Sequence, residues 1–194
     1  MSIATSISVG TNAPEAYAAE AARRVRPRQG GFAESFAQIV AVLMRDRNFR
    51  AMPIGELEWL VLPPLMHGQF VLAHTRMSQP DTKNKEEAKK SATLVPVAVA
   101  LWARVSANVD KALSENLGAP IKLQPADWTS GDNFWLLALA GDQRALPKFL
   151  AQLGKTEFKG RQVKMRKRGP DGKVVVVNLA SPGNGETAVA KAAR

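Results

Sequence analysis

The longest apolar run in the chain, Leu94–Ala103, is too short to cross a bilayer and carries Pro96 near its start. A membrane helix needs ~18–20 apolar residues. A proline inside a helix removes a donor and clashes with the preceding turn. The run therefore reads as a strand, Leu94–Val105, with Pro96 at its start or in an edge position. A second run, Asn133–Ala140, is apolar along nearly its whole length and reads as a central strand.

The remaining pattern supplies helices to cover such strands. Phe32, Phe36, Ile39, Val40 and Leu43 recur at helical spacing, which predicts an amphipathic helix ending near Asp46. A second helix is predicted over Gly55–Leu62, interrupted by Pro63 and Pro64. Gln69–Thr75 reads as a strand. Ser106 is suited to cap a helix bearing Val109, Ala112, Leu113 and Leu117, with Gly118 as its terminator. After Asp142, a short helix with Leu146, Phe149, Leu150 and Leu153 tolerates Pro147 only in its first turn. Gly160–Arg168 and Lys173–Leu179 flank Gly169-Pro170-Asp171-Gly172, where Pro170 fixes φ and the glycines relieve strain, so a hairpin is expected. The fold class is α/β or α+β, a mixed sheet with helices packed on it.

With 194 residues, the chain suits one domain with loose ends. Residues 1–31, rich in Ala, Ser, Thr, Gly and Arg, read as a tail without a secretory signal, and 181–194 read as a second tail. Residues 32–180 form the expected domain, with the polar stretch 78–91 as a surface loop. The absence of cysteine excludes disulfides, thiolate metal sites and a cysteine nucleophile, and fits a cytoplasmic location. The net charge is +10, of which Lys159–Arg194 carries +7. Such a block calls for an acidic partner.

Generic catalytic signatures are missing: no Gly-x-Ser-x-Gly, no Walker loop, no His-Glu-x-x-His. His67 and His74 lack neighbouring carboxylates in sequence and do not make a metal site. The most unusual segment is Asp127-Trp128-Thr129-Ser130-Gly131-Asp132-Asn133-Phe134-Trp135. Two tryptophans flank a small polar turn whose last acid lies at the mouth of an apolar strand. Gly131 permits a tight backbone, and Thr129 or Ser130 is placed to donate to a carboxylate. Read blandly, Asp132 caps a turn and the tryptophans anchor a core.

Trp128-Thr129-Ser130-Gly131-Asp132-x-x-Trp135 resembles the signature of the toxin-activating lysine acyltransferases, the C proteins that fatty-acylate RTX toxins such as hemolysin. Pro96-Val97-Ala98 with Trp102-Ala103 and Ser106 is similar to a second segment of that family. Val61-Leu62-Pro63 with Gln69-Phe70 is similar to a third. The three occur in family order, and the resemblance covers roughly residues 36–178. It implies a GNAT-like acyltransferase fold with a mostly antiparallel sheet. It also implies transfer of an acyl group from acyl carrier protein, as co-substrate, to a lysine of an RTX-type toxin. No bound cofactor is implied, and a homodimer is an expectation from the resemblance alone.

A lysine amine has a pKa near ~10.4, so freeing its lone pair at pH 7 costs about 4.6 kcal/mol. A base, or desolvation, must lower that cost before the amine attacks a thioester. The resemblance implies Asp132 as a catalytic carboxylate and a histidine at the position that here is Phe49, beside Arg50 and Pro53. A phenyl ring accepts no proton. Three routes stay open: Asp132 as the only base, His67 or His74 reaching in from another element, or a domain that has lost catalysis and kept binding. Trp102 and Trp135 are candidates to line or support the acyl site, with Ser130 and Gly131 beside Asp132. Arg50 is a candidate to orient a carbonyl or phosphate.

In the basic hairpin, Val163 and Met165 are expected to face the core, so Lys164, Arg166 and Arg168 point to the other side. They form either a solvated face or a dock for the acidic acyl carrier. Nucleic acid ranks lower, because the run has no interleaved aromatics for base stacking.

Overall fold

The computed structural model describes residues 31–77 and 93–179. Apart from Gly31, the expected tails and the expected loop 78–91 lie outside the described residues. Five strands form one sheet in chain order: β1 (Phe70–Met77), β2 (Thr93–Val105), β3 (Asn133–Gly141), β4 (Val163–Arg168) and β5 (Val174–Leu179). Neighbours are antiparallel except β3 and β4, which are parallel. A parallel pair requires a crossover, supplied by the helix Leu146–Lys155. The α/β class with a mixed, mostly antiparallel sheet is as the sequence led us to expect.

The helices are α1 (Phe32–Leu43), the short α2 (Leu57–Leu60) and α3 (Leu62–Met66), α4 (Ala107–Glu115) and α5 (Leu146–Lys155), with 3-10 turns at Ile54–Glu56 and Pro125–Thr129. The expected Gly55–Leu62 helix is instead a 3-10 turn followed by α2 and α3. Pro63 and Pro64 lie in the first turn of α3, where an absent N–H leaves no bond unmade. Ser106 caps α4, its hydroxyl accepting from the Val109 amide at 3.4 Å. That helix ends at Asn116 rather than at Gly118. Pro147 sits in the first turn of α5, as expected.

Apolar residues cover both faces of the sheet. On one, Ile39, Val42 and Leu43 of α1, with Leu60, Val61 and Leu65, pack on Val99, Leu101, Ala138 and Ala140. Further along that face, Val105, Leu113, Leu123, Trp128 and Trp135 form a second cluster. On the other face, Phe149 and Leu153 of α5, with Phe158, pack on Trp102, Phe134, Leu136 and Val163.

Opposite the step from Leu101 to Trp102, β3 carries one extra residue, Leu137. This bulge reverses the alternation, so Phe134 and Leu136 face α5 while Ala138 and Ala140 face α1. Pro96 lies where β2 overhangs β3, whose pairing begins only at Ala98, so the proline has a ladder on one side alone. Among the described residues, no helix is long and apolar enough to cross a membrane.

Candidate active site

The three sequence segments that carried the resemblance meet in one hydrogen-bonded knot at the start of β3. The Trp102 amide donates to the Gln69 carbonyl at 3.1 Å. The buried Gln69 side chain donates through Nε2 to the Trp128 carbonyl at 3.1 Å. Ser130 Oγ accepts from the Ser106 amide at 2.8 Å and donates to the Asp127 carbonyl at 2.9 Å. The Gly131 amide donates to the Arg104 carbonyl at 3.2 Å, and Asn133 Nδ2 to the Val105 carbonyl at 3.1 Å.

Gly131 is pressed against the corner between β2 and α4. A Cβ there would stand 2.6 Å from the Val105 oxygen and 2.7 Å from Ser106 Cα, so no larger residue fits without movement. The expectation that Ser130 donates to a carboxylate is not met, because its hydroxyl is taken by the Asp127 carbonyl and the Ser106 amide. Nor does Asp132 cap the preceding turn. Asp127 does so, accepting from the Gln124 amide at 3.0 Å.

Asp132 stands exposed at the lip of the sheet. Among the described residues its carboxylate makes no hydrogen bond and no ion pair. It lines an open cleft of about 250 Å³ with Asn133, Phe134, Arg161, Gln162 and Lys164. Trp128 and Trp135, which flank the turn in sequence, are fully buried beneath it. Trp102 is buried on the opposite face, edge-on to Phe158 with 5.3 Å between ring centroids. None of these indoles lines the cleft; Phe134 does.

Lys164 and Arg166 point to the face opposite Val163 and Met165, as strand alternation requires, but α4 covers that face and both are engaged within the chain. Lys164 Nζ lies 2.9 and 2.8 Å from the two Asp110 carboxylate oxygens. Trp135 Nε1 donates to the same carboxylate at 2.7 Å. Arg166 reaches the end of α4, donating from Nε and Nη2 to the Leu113 carbonyl at 3.0 and 2.7 Å. It also donates to the Asn116 carbonyl at 3.0 Å and the Ala119 carbonyl at 2.8 Å. A guanidinium there bonds the Leu113 carbonyl in the last turn of the helix and two carbonyls just past its end. Burial lowers the pKa of Arg166 from its ordinary value. Arg168 and Lys167 are exposed.

The parallel pair holds for two residue pairs only, Phe134 with Val163 and Trp135 with Lys164. Beyond them β3 continues along β2, and β4 along β5. The strands thus part towards Leu136 and Met165, while the Asp132 cleft lies at the other end of the pair, where the two strands begin.

Phe49 and Arg50 do not line this cleft. Phe49 is half-buried against the α1 cluster, and Arg50 is exposed. Their turn is tied through Asp46, whose Oδ2 accepts from the Gly141 amide at 3.4 Å, at the opposite end of β3 from Asp132. His74 meets Gln38 of α1 at 2.8 Å, and His67 is exposed after α3. Neither histidine lines the cleft. Sequence reasoning passed over Arg161, Gln162 and Asp110. A charged residue on a surface strand or helix carries no local mark of what it faces.

No curated protein matches the chain. Residues 89–180 match the family model of the RTX toxin acyltransferase family. The matched segment spans β2 to β5 and contains the Asp132 turn, the parting strands and the cleft residues; α1, Phe49 and β1 precede it. Through residues 89–180, the chain is similar to the RTX toxin acyltransferase family.

Proposed function

We propose that the chain moves a fatty acyl group from acyl carrier protein to lysine side chains of an RTX-type toxin, with Asp132 as the proton acceptor. The observation that carries this reading is a carboxylate with no partner among the described residues, lining a cleft at the start of the two parallel strands. The lysine amine attacks the thioester carbonyl. A C–N bond forms, the C–S bond breaks, and the amine's proton passes through Asp132 to the departing carrier thiolate. The products are an amide on the toxin and a free carrier thiol.

The parting of β3 and β4 supports the donor. An extended chain bearing amides can lie along strand backbone left without a neighbour, as a peptide does in strand addition. The phosphopantetheine arm of a carrier is such a chain. The same parallel pair, with its α5 crossover, supports the GNAT-like reading of the fold. Of the hairpin cations, Arg168 and Lys167 remain exposed for an acidic carrier helix. A paired form of the chain and action in the cytoplasm belong to the same proposal.

A second reading is favoured by Phe49, a core side chain where the resemblance implies a histidine: an acyltransferase-like domain that binds a carrier or toxin without transfer. Carrier protein bearing a labelled fatty chain, mixed with the protein and a toxin segment, separates the two. Label on lysine supports transfer; carrier binding with no label on lysine supports the second reading.

A further inference from the structure

The cleft is lined by two opposite charges that do not join. Asp132 and Arg161 both face it, yet among the described residues the ion pairs are Lys164 with Asp110 and Lys122 with Glu56. Lys164 is thus satisfied by Asp110, and Arg161 is the cleft cation left without a carboxylate. Arg161 is also placed: its guanidinium lies 4.5 Å over the Phe134 ring, and its amide donates to the Phe158 carbonyl at 3.0 Å. A planar guanidinium held on an aromatic face keeps its donor edge available to a carboxylate.

A ligand that satisfies both groups carries a cation for Asp132 and a carboxylate for Arg161. A phosphodiester alone fits less well, since it would meet the Asp132 carboxylate in the same cleft. We infer that the cleft selects acceptor segments in which the target lysine has an aspartate or glutamate beside it, and that Arg161 is the specificity residue. The inference rests on the acyl-transfer reading for the identity of the amine.

The test uses the full chain with two peptides, one with lysine flanked by glutamate and one with glutamine in that place. Acylation from loaded carrier and peptide binding without carrier are both measured. The glutamate peptide is expected to be preferred by roughly three- to fivefold, the size of an exposed ion pair, mainly through KM. The preference shrinks as salt is raised, and the ratio falls towards one in Arg161→Gln, whose unfolding midpoint serves as the control for folding. Equal use of both peptides by the unaltered protein, or a preference that survives Arg161→Gln, overturns the inference. So does carrier affinity that falls in Arg161→Gln without any peptide preference, which would give the guanidinium to the carrier's phosphodiester. Selective binding without acylation upholds the inference and defeats the transfer reading. Acylation without selectivity does the reverse, and the absence of both defeats both.

Discussion

The Gln69 side chain, at the foot of β1, holds the carbonyl of Trp128, the residue from which the Asp132 turn springs, at 3.1 Å. Both residues are buried, and their remaining polar atoms, Gln69 Oε1 and Trp128 Nε1, have no partner among the described residues. One edge of the sheet and the candidate site are therefore joined through a single buried amide. Gln69→Leu leaves the Trp128 carbonyl without that donor and is expected to cost about 1–3 kcal/mol. Urea unfolding should show a lowered midpoint with an unchanged slope. Gln69→Glu, which offers an acceptor where a donor is needed, should cost more.

Gly131 is fixed by lack of room. Gly131→Ala pushes a methyl group into the backbone of Val105 and Ser106 and is expected to destabilise by about 1–3 kcal/mol, read as a fall in melting temperature. Ala at the exposed Gly118, where a Cβ meets nothing within 4 Å, is the matched control.

Arg166 ties β4 to the end of α4 through three carbonyls. Arg166→Ala should loosen the last turn of that helix, seen as faster amide exchange there and a stability loss of about 1–3 kcal/mol. Arg166→Lys should recover only part, since one ammonium cannot span the carbonyls a planar fork reaches.

Phe49→His places an imidazole where the resemblance implies one. The ring packs against the α1 cluster and does not line the cleft. The variant is therefore expected to lose about 1–3 kcal/mol by burying a polar ring, without faster acyl transfer. A marked gain in rate would mean that the chemistry lies on the α1 side of the sheet.

Features set by neighbours in sequence were the legible ones. The turn at Gly169–Gly172, the Ser106 cap and the two apolar strands each follow from local chemistry, and each is present. The bulge at Leu137 was hidden, because a strand buried on both faces reads as apolar whichever way it alternates. In the site, Asp132 and its turn could be picked out, but not the division of labour around it. Lys164 and Arg166 look in sequence like a free basic face. Only the fold brings Asp110 and the end of α4 beneath them, and only the crossover through α5 brings Arg161 beside Asp132.

The most direct measurement compares acyl transfer by the unaltered protein and by Asp132→Asn, with carrier protein as donor and a toxin segment as acceptor. Because the carboxylate makes no bond among the described residues, the substitution should leave the unfolding midpoint in place. Transfer is expected to fall by roughly 10²–10⁴-fold, the usual loss for a positioned proton acceptor. Transfer at the original rate by a folded Asp132→Asn protein would contradict the role given to this carboxylate.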